Sequence, residues 1–274
     1  MGTPMASRLV ADGHDVVVFD LSDAAVARLA AEGATAASSA AEVASQCSHV
    51  GVCVPSDGRV VDVVTGDSGL LETAVEGTSV AIHSTVHPDT VRDLSALADE
   101  QGVVLFDAGV AGGKEAAEQG DLVITIGVPA GGIPDSAVPS LESCGGALIE
   151  AGTIGTGMAL KVGLNVMTYL QQAAASASYQ VAMSEGVDCH QLLDAWRHLG
   201  MLGSLTEKFF PLLTMSPADK TEGELGEMLP RVMALAERDL EVASQIGLET
   251  GRPMPVVEAT RDAMKLVYGL PMAP

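Results

Sequence analysis

The sequence predicts two domains: an α/β domain built on a parallel sheet over residues 1–152, and an all-helical domain over residues 153–274. In the first domain, short β-branched runs alternate with helical patterns, which is typical of a parallel sheet flanked by helices. After Gly155 the alternation stops and only helical patterns follow. We therefore place the boundary near Gly152.

Each element of the first domain follows from its own pattern. The strands are predicted over residues 16–19, 49–54, 79–82, 103–106 and 122–126, and the helices or turns between them over residues 22–33, 40–45, 59–64 and 88–101. In the second domain, residues 159–184 form a long helix that is apolar or small nearly all round. Because such a helix is usually buried between neighbours, we expect it to join the domains and form the core of the second.

Composition narrows the class of protein. With 274 residues, 47% of them hydrophobic, the chain can bury a substantial core. A formal net charge of −22 argues against nucleic acid and anionic membranes as partners. No segment approaches the roughly 20 apolar residues of a membrane span, and the first residues lack the layout of a signal peptide. We expect a cytoplasmic protein, and no metal, because the histidines and cysteines lack metal-ligand spacing.

The segment Gly2-Thr3-Pro4-Met5-Ala6, followed by a strand ending at Asp20, is similar to the opening unit of a Rossmann-type dinucleotide fold. There a glycine-rich turn brings a helix N-terminus to the pyrophosphate, and an acid about 20 residues on binds the ribose. The Asp20 carboxylate would repel a 2′-phosphate, and no arginine follows in Leu21-Ser22, so NAD is favoured over NADP. A helix cap is the alternative role for Asp20.

A full dinucleotide motif also needs a preceding strand and two earlier glycines, whereas this chain begins at the position of the third glycine. The missing strand would normally be central, so its loss would leave two strand edges unpaired and remove part of the phosphate cradle. Either the true start codon lies upstream, which we favour, or the protein is truncated and binds its cofactor less well.

Three further motifs follow predicted strands, at the edge where ligands collect in open parallel sheets. Val54-Pro55 could contact the adenine or ribose of a dinucleotide, although a rigid loop is the commoner explanation. Ser84-Thr85 either contacts the cofactor or caps the next helix. The segment from Asp107 through Ala111, Gly112 and Gly113 can present backbone amides to a carboxylate, with a simple turn as its alternative.

Lys161 and Asn165, the only asparagine of the chain, lie one helical turn apart in an apolar segment that begins at Gly155. Residues four apart share a helix face, so the ammonium and the carboxamide can address one small polar molecule. A solvated surface pair is the alternative.

Taken in order, these motifs resemble those of the β-hydroxyacid dehydrogenases, the group that includes 3-hydroxyisobutyrate dehydrogenase and tartronate semialdehyde reductase. Arg238-Asp239-Leu240 resembles the late Lys-Asp-Leu element of that family near the nicotinamide. The resemblance implies Lys161 as general acid/base, and Asn165, with Gly112 and Gly113, as contacts of a small substrate that carries a carboxylate. It further implies cofactor contacts from Gly2, Met5, Asp20, Val54, Pro55, Ser84, Thr85 and Arg238, and a homodimer or homotetramer.

Two substitutions depart from the family pattern. Ala111 stands where the family usually has a serine or threonine that bonds the substrate, and Arg238 replaces the usual lysine. Lys161 itself distinguishes the chain from the related imine reductases. The sequence thus predicts an NAD-dependent oxidoreductase that interconverts a 3-hydroxy acid and its semialdehyde acid. The alternatives are a reductase of succinic, tartronic or glyoxylate-type semialdehydes, and a truncated, non-catalytic nucleotide-binding relic.

Overall fold

The computed structural model describes residues 1–270. The chain divides into two compact units, the first over Met1–Lys161 and the second from Val162 onward. The first is an α/β unit and the second is helical throughout its described residues, so the predicted fold class is confirmed. No described helix has the length and apolar character needed to cross a membrane.

The first unit contains seven strands, seven complete α-helices and one 3-10 turn (Leu70–Glu72) within the described residues. The strands are β1 (Val17–Val18), β2 (Thr35–Ala36), β3 (His49–Val52), β4 (Ser79–Ile82), β5 (Val104–Ala111), β6 (Leu122–Val128) and β7 (Gly145–Thr153). The helices are α1 (Gly2–Ala11), α2 (Asp23–Glu32), α3 (Ala40–Gln46), α4 (Asp57–Thr65), α5 (Pro88–Asp99), α6 (Gly113–Gln119) and α7 (Val138–Cys144).

The strands form two separate sheets. β1 and β2 pair in parallel as a two-stranded sheet, and the others form a five-stranded sheet in the order β3-β4-β5-β6-β7. Among the described residues, β3 pairs on one side only, with β4.

The predicted parallel sheet needs one correction, because β6 runs antiparallel to β5. The strand predicted over residues 103–106 also stops too early: β5 pairs in parallel with β4 up to Asp107 and continues to Ala111, and this second half pairs with β6. The predicted loop from Asp107 to Ala111 is therefore strand. The connection between β5 and β6 through α6 is short, and β6 pairs directly with β5. A short connection between paired neighbours favours the antiparallel direction.

β2 and β7 were not predicted. β2 has only two residues, both exposed, so it carries no hydrophobic pattern. β7 is mostly exposed and holds three glycines, Gly145, Gly146 and Gly152, which weaken the strand signal. It is nevertheless paired in parallel with the whole of β6.

The core of the first unit lies on both faces of the central strands. Val80 and Ile82 of β4 pack into one hydrophobic cluster, while Ala81 between them belongs to another. In β5, Leu105 and Phe106 divide between the same two clusters. Because successive strand residues point to opposite faces, these continuous apolar runs bury two layers at once.

The second unit is built by helices. They are α8 (Thr156–Ser184), which begins in the first unit, α9 (Cys189–His198), α10 (Ser204–Thr214), α11 (Pro217–Thr221), α12 (Gly223–Glu249) and α13 (Pro255–Val267). In its core, Phe210 meets Trp196 edge to face with ring centroids 6.0 Å apart, and Phe209 meets Tyr268 at 5.5 Å. These are favourable aromatic geometries.

The first turn of α8 is seated directly on the sheet through glycine. A Cβ placed on Gly157 would lie 2.4 Å from the backbone nitrogen of Gly127 in β6, closer than atoms can approach. Gly163, on the same helix, is exposed and a Cβ there would meet nothing within 4 Å. Close contact of helix and strand therefore depends on one glycine and not on the other.

We expect opposite effects of the same substitution at these two positions. Gly157→Ala should lower the free energy of unfolding by about 2 kcal/mol, because the methyl group must push α8 off β6. Gly163→Ala should raise it by about 0.5–1 kcal/mol through helix propensity. Urea unfolding followed by circular dichroism measures both, and equal effects would contradict the seating of α8.

Candidate active site

The predicted cofactor residues of the first unit lie around the start of α1 and the ends of β3 and β4. Gly2 begins α1, no side-chain hydrogen bond caps that helix, and a Cβ on Gly2 would meet Cys53 at 3.4 Å, just past the end of β3. The backbone N–H of Val54 donates to Ser84 Oγ at 2.7 Å, which joins the residues after β3 to those after β4. A helix N-terminus thus stands beside the carboxyl ends of parallel strands, an arrangement suited to an anion.

The other predicted cofactor residues of the first unit differ in how far they are exposed. Met5 is a buried core residue of α1, Pro55 is exposed and Thr85 is half-buried. Asp20 is exposed, and its Oδ1 accepts the backbone N–H of Ser22 at 2.8 Å. Ser22, not Asp20, is the cap of α2, so the alternative of a helix cap does not hold for Asp20.

His83 fixes the end of β4 immediately before Ser84. Its ring is buried, and Nδ1 lies 2.7 Å from the carbonyl oxygen of Ala108 in β5, which makes Nδ1 the protonated nitrogen. Burial lowers the pKa of His83, so the ring is held in its neutral form. The neutral donor ties the residue directly after β4 to the middle of β5.

Lys161 packs onto the second half of β5. Its side chain is buried, with the residue 8% exposed, and a Cβ on Gly109 would lie 2.8 Å from Lys161 Cβ. Thr125 of β6, paired with Gly109, donates its hydroxyl to the Gly109 carbonyl at 3.1 Å. Since residues two apart share a strand face, Ala111 faces the same side of the sheet as Lys161, about 7 Å along the strand.

The predicted carboxylate-binding glycines follow at the end of β5. Gly112 and Gly113 have φ angles of +133° and +81°, values that favour glycine, and they lead into α6. A Cβ on Gly112 would collide with Ala116 at 2.7 Å, whereas one on Gly113 would meet nothing within 4 Å. Gly113 is exposed, so its backbone is open to a ligand.

Asp107 of β5 is fully buried, and its carboxylate holds the start of α8. Oδ1 accepts the N–H of Gly155 at 2.8 Å and Oδ2 accepts the N–H of Met158 at 2.5 Å. Burial raises the pKa of Asp107, while these two N–H groups act in the opposite direction. The helix that carries Lys161 is thus fastened to the strand on which Lys161 packs.

The second unit contains a separate polar cluster centred on Asp239 in α12. Asp239 is 5% exposed and accepts hydrogen bonds from Asn165 Nδ2 at 2.7 Å and from the Tyr169 hydroxyl at 3.2 Å. Arg238 Nη2 donates to its other oxygen at 3.0 Å. Burial, and then the Asp239 charge, raise the pKa of Tyr169, so its hydroxyl stays protonated as a donor. The predicted residues Asn165 and Arg238 therefore share one carboxylate.

Several residues of this arrangement were missed by sequence reasoning. Asp107 and Asp239 were noticed only as members of motifs, and Thr125 and His83 not as site residues at all. A buried acid inside an apolar strand is unusual, because unpaired charges are rarely buried. Asp107, between Phe106 and Ala108, carried that signal; Thr125 carried none, since threonine is common in strands.

Known proteins resemble the chain along most of its length. Residues 1–155 match the family model described as the NAD binding domain of 6-phosphogluconate dehydrogenase. An uncharacterized oxidoreductase of Mycobacterium tuberculosis is 32% identical over 98% of this chain and 90% of its own length. The NAD-dependent L-serine dehydrogenase of Pseudomonas aeruginosa is 28% identical over 89% of this chain and 83% of its own.

Among solved structures, the chain resembles 3-hydroxyisobutyrate dehydrogenase of Mycobacterium tuberculosis with L-serine. The TM-score is 0.81 and the identity 26%, with 96% of this chain and 89% of that chain covered. The predicted class of protein, a nicotinamide-dependent oxidoreductase acting on CH–OH groups, is confirmed. The homo-oligomer, the individual site residues and the cytoplasmic location stay predictions.

The cluster around Asp239 yields a stability prediction. Tyr169→Phe should lower the free energy of unfolding by about 1.5–3 kcal/mol, because a buried carboxylate loses a hydrogen-bond donor. Tyr179→Phe, at a half-buried tyrosine whose ring packs edge-on against Phe210, is the matched control and should change it by less than about 0.5 kcal/mol. If urea unfolding gives the same loss of free energy for both variants, the Tyr169 hydroxyl does not stabilise the cluster.

Proposed function

Because the chain belongs to the β-hydroxyacid dehydrogenase family, we propose that it oxidises the primary alcohol of a 2-substituted 3-hydroxypropanoate with NAD as cofactor and Lys161 as general base. The observation that carries this proposal is the buried Lys161, packed against Gly109 on the strand that leads to Gly112 and Gly113. An amine sheltered from bulk water can exchange a proton with a substrate without competition from solvent.

The reaction separates into a hydride and a proton. When bound, the nicotinamide supplies the hydride acceptor for the carbinol carbon. Lys161 Nζ takes the hydroxyl proton as the carbonyl forms, and in the reverse direction it returns that proton to the oxygen. General acid/base participation of this kind is typically worth about 10²–10⁴-fold in rate.

The proposed substrate class rests on chemistry shared by the related proteins. 3-Hydroxyisobutyrate and L-serine, the molecules in their names, are both HO–CH2–CH(R)–COO⁻ and differ only in R, a methyl or an ammonium group. Gly112 and Gly113 are proposed to receive the carboxylate through backbone N–H groups. Asn165, one turn after Lys161 on α8, is proposed to orient the substrate, its amide rotamer being set by Asp239.

Ala111 bears on the choice of R. It faces the same side of β5 as Lys161, where a hydroxyl-bearing residue would offer the substrate a polar contact. A methyl group offers none. We therefore expect substrates with an apolar R to be preferred over L-serine.

The cofactor proposal rests on the α1 edge of the sheet. The uncapped N-terminus of α1 beside Cys53 fits a pyrophosphate, and the residues that would hold the dinucleotide are Gly2, Val54 and Ser84, with Asp20 at the ribose. The exposed carboxylate of Asp20 disfavours a 2′-phosphate in the same place. NAD is therefore proposed over NADP. Met5, Pro55, Thr85 and Arg238 stay predicted contacts.

Steady-state kinetics of Lys161→Ala tests the proposed function. With NAD and with NADP, the chain is assayed on 3-hydroxyisobutyrate, L-serine and 3-hydroxypropanoate, and on the semialdehydes in reverse. We expect kcat to fall by about 10²–10⁴-fold in Lys161→Ala, with NAD affinity kept, because only the proton transfer is lost. Lys265→Ala, at a half-buried lysine of α13, should match the parent chain.

The outcomes of that assay separate the alternatives. Unchanged turnover in Lys161→Ala would remove the lysine from the chemistry. Faster turnover of semialdehydes across the panel would favour the reductase, and NAD binding without any turnover would favour the non-catalytic relic.

A further inference from the structure

The helix that carries Lys161 is capped in a way that differs from other helices of the chain. α2, α3, α4 and α9 are capped by the residue directly before each helix, Ser22, Ser39, Ser56 and Asp188. At α8, Asp107 instead accepts the N–H of Gly155, directly before the helix, and the N–H of Met158 in its first turn, from 48 and 51 residues away in the sequence. A local cap only ends a helix, whereas a cap from the sheet also fixes the helix to the sheet.

The carboxylate fixes the turn directly ahead of Lys161. Met158, whose N–H binds Oδ2 of Asp107, lies one helical turn before Lys161. Both oxygens are occupied by backbone donors, so neither translation nor rotation of α8 about its axis is possible without breaking a charge-assisted hydrogen bond.

The surrounding glycines show that this position of the carboxylate is specified by the sequence. A Cβ on Gly127 would lie 2.0 Å from Asp107 Oδ1, so any other residue there would displace the carboxylate. Gly157 lets α8 touch β6, and Gly109 lets the stem of Lys161 touch β5. Residues of β5, β6 and α8 thus together determine where Lys161 packs on the sheet.

We propose that Asp107 is the positioning residue of Lys161, setting by its two hydrogen bonds to α8 where the lysine amine stands relative to β5. This inference rests on the proposed function of Lys161. The buried carboxylate touches neither substrate nor cofactor in this account. It acts only through the helix, and its removal should affect the chemical step and not binding.

Kinetics of Asp107→Asn tests this role. The amide keeps one acceptor oxygen but turns an NH2 group toward an N–H donor, so one of the two hydrogen bonds is lost. We expect kcat to fall on the order of 10²-fold, the usual effect of a displacement of about 1 Å at a reacting group, with KM and the Kd for NADH changed by less than about twofold. Asp107→Ala, which loses both bonds, should lose more kcat than Asp107→Asn.

Asp188→Asn is the matched control, because Asp188 caps α9 through the N–H of His190 at 2.8 Å. It should leave kcat at the parent value. A lower melting temperature for Asp107→Asn with kcat unchanged would overturn the proposal, since Asp107 would then be a structural cap only. The proposal would also be overturned if Asp107→Asn raised KM and left kcat unchanged, because the substitution would then affect binding and not the chemical step.

A second variant reaches the carboxylate from the other side. If Asp107→Asn does not fold, Gly127→Ala displaces the carboxylate with its chemistry intact and should lower kcat in the same way, while Gly131→Ala, at a site with nothing within 4 Å, should not. Unchanged kcat in folded Gly127→Ala overturns the proposal. If Lys161→Ala keeps its turnover in the same assay, the proposed function fails, whatever Asp107 does.

Discussion

The buried carboxylate of Asp107 is the constraint on which the rest of the first unit depends. It lies in a strand that changes partners at that point, with parallel β4 before it and antiparallel β6 after it. Burying a carboxylate costs several kcal/mol unless donors compensate it, and the donors here are the N–H groups at the start of α8. The positions of β5 and α8 are therefore coupled. The buried carboxylate is stabilised by the N–H groups at the start of α8, and the start of α8 is held in place by the carboxylate.

The same coupling accounts for the small residues around it. Each of three glycines leaves no room for a side chain: Gly157 lies against the backbone of β6, Gly109 against the Lys161 side chain, and Gly127 against the Asp107 carboxylate. Such a close contact restricts the movement of α8, and a fixed position of the amine is what the proton transfer proposed for Lys161 requires. In the second unit another buried acid, Asp239, bonds a side chain of α8 directly by accepting from the Asn165 amide, whereas Asp107 bonds only backbone N–H groups at the start of that helix.

Much of this arrangement could be predicted from the sequence. Periodicity placed the strands β3 to β6 and the long α8, and the motifs supplied Lys161 and Asn165, because these signals are local. The antiparallel direction of β6 could not be predicted, because it depends on which strand β6 pairs with. The strand β7 could not be predicted either, because most of its residues are exposed and carry no hydrophobic pattern. The roles of Asp107 and Asp239 also depend on residues far away in the chain, which no local pattern records.

Native-state hydrogen exchange at the Met158 amide tests the central claim most directly, because that amide donates to Asp107. If the carboxylate holds the first turn of α8, this amide exchanges only through global unfolding of its unit, far more slowly than the His190 amide under the exposed cap of α9. Exchange of Met158 at the rate of a fraying helix end would contradict the account, since the turn ahead of Lys161 would then open freely.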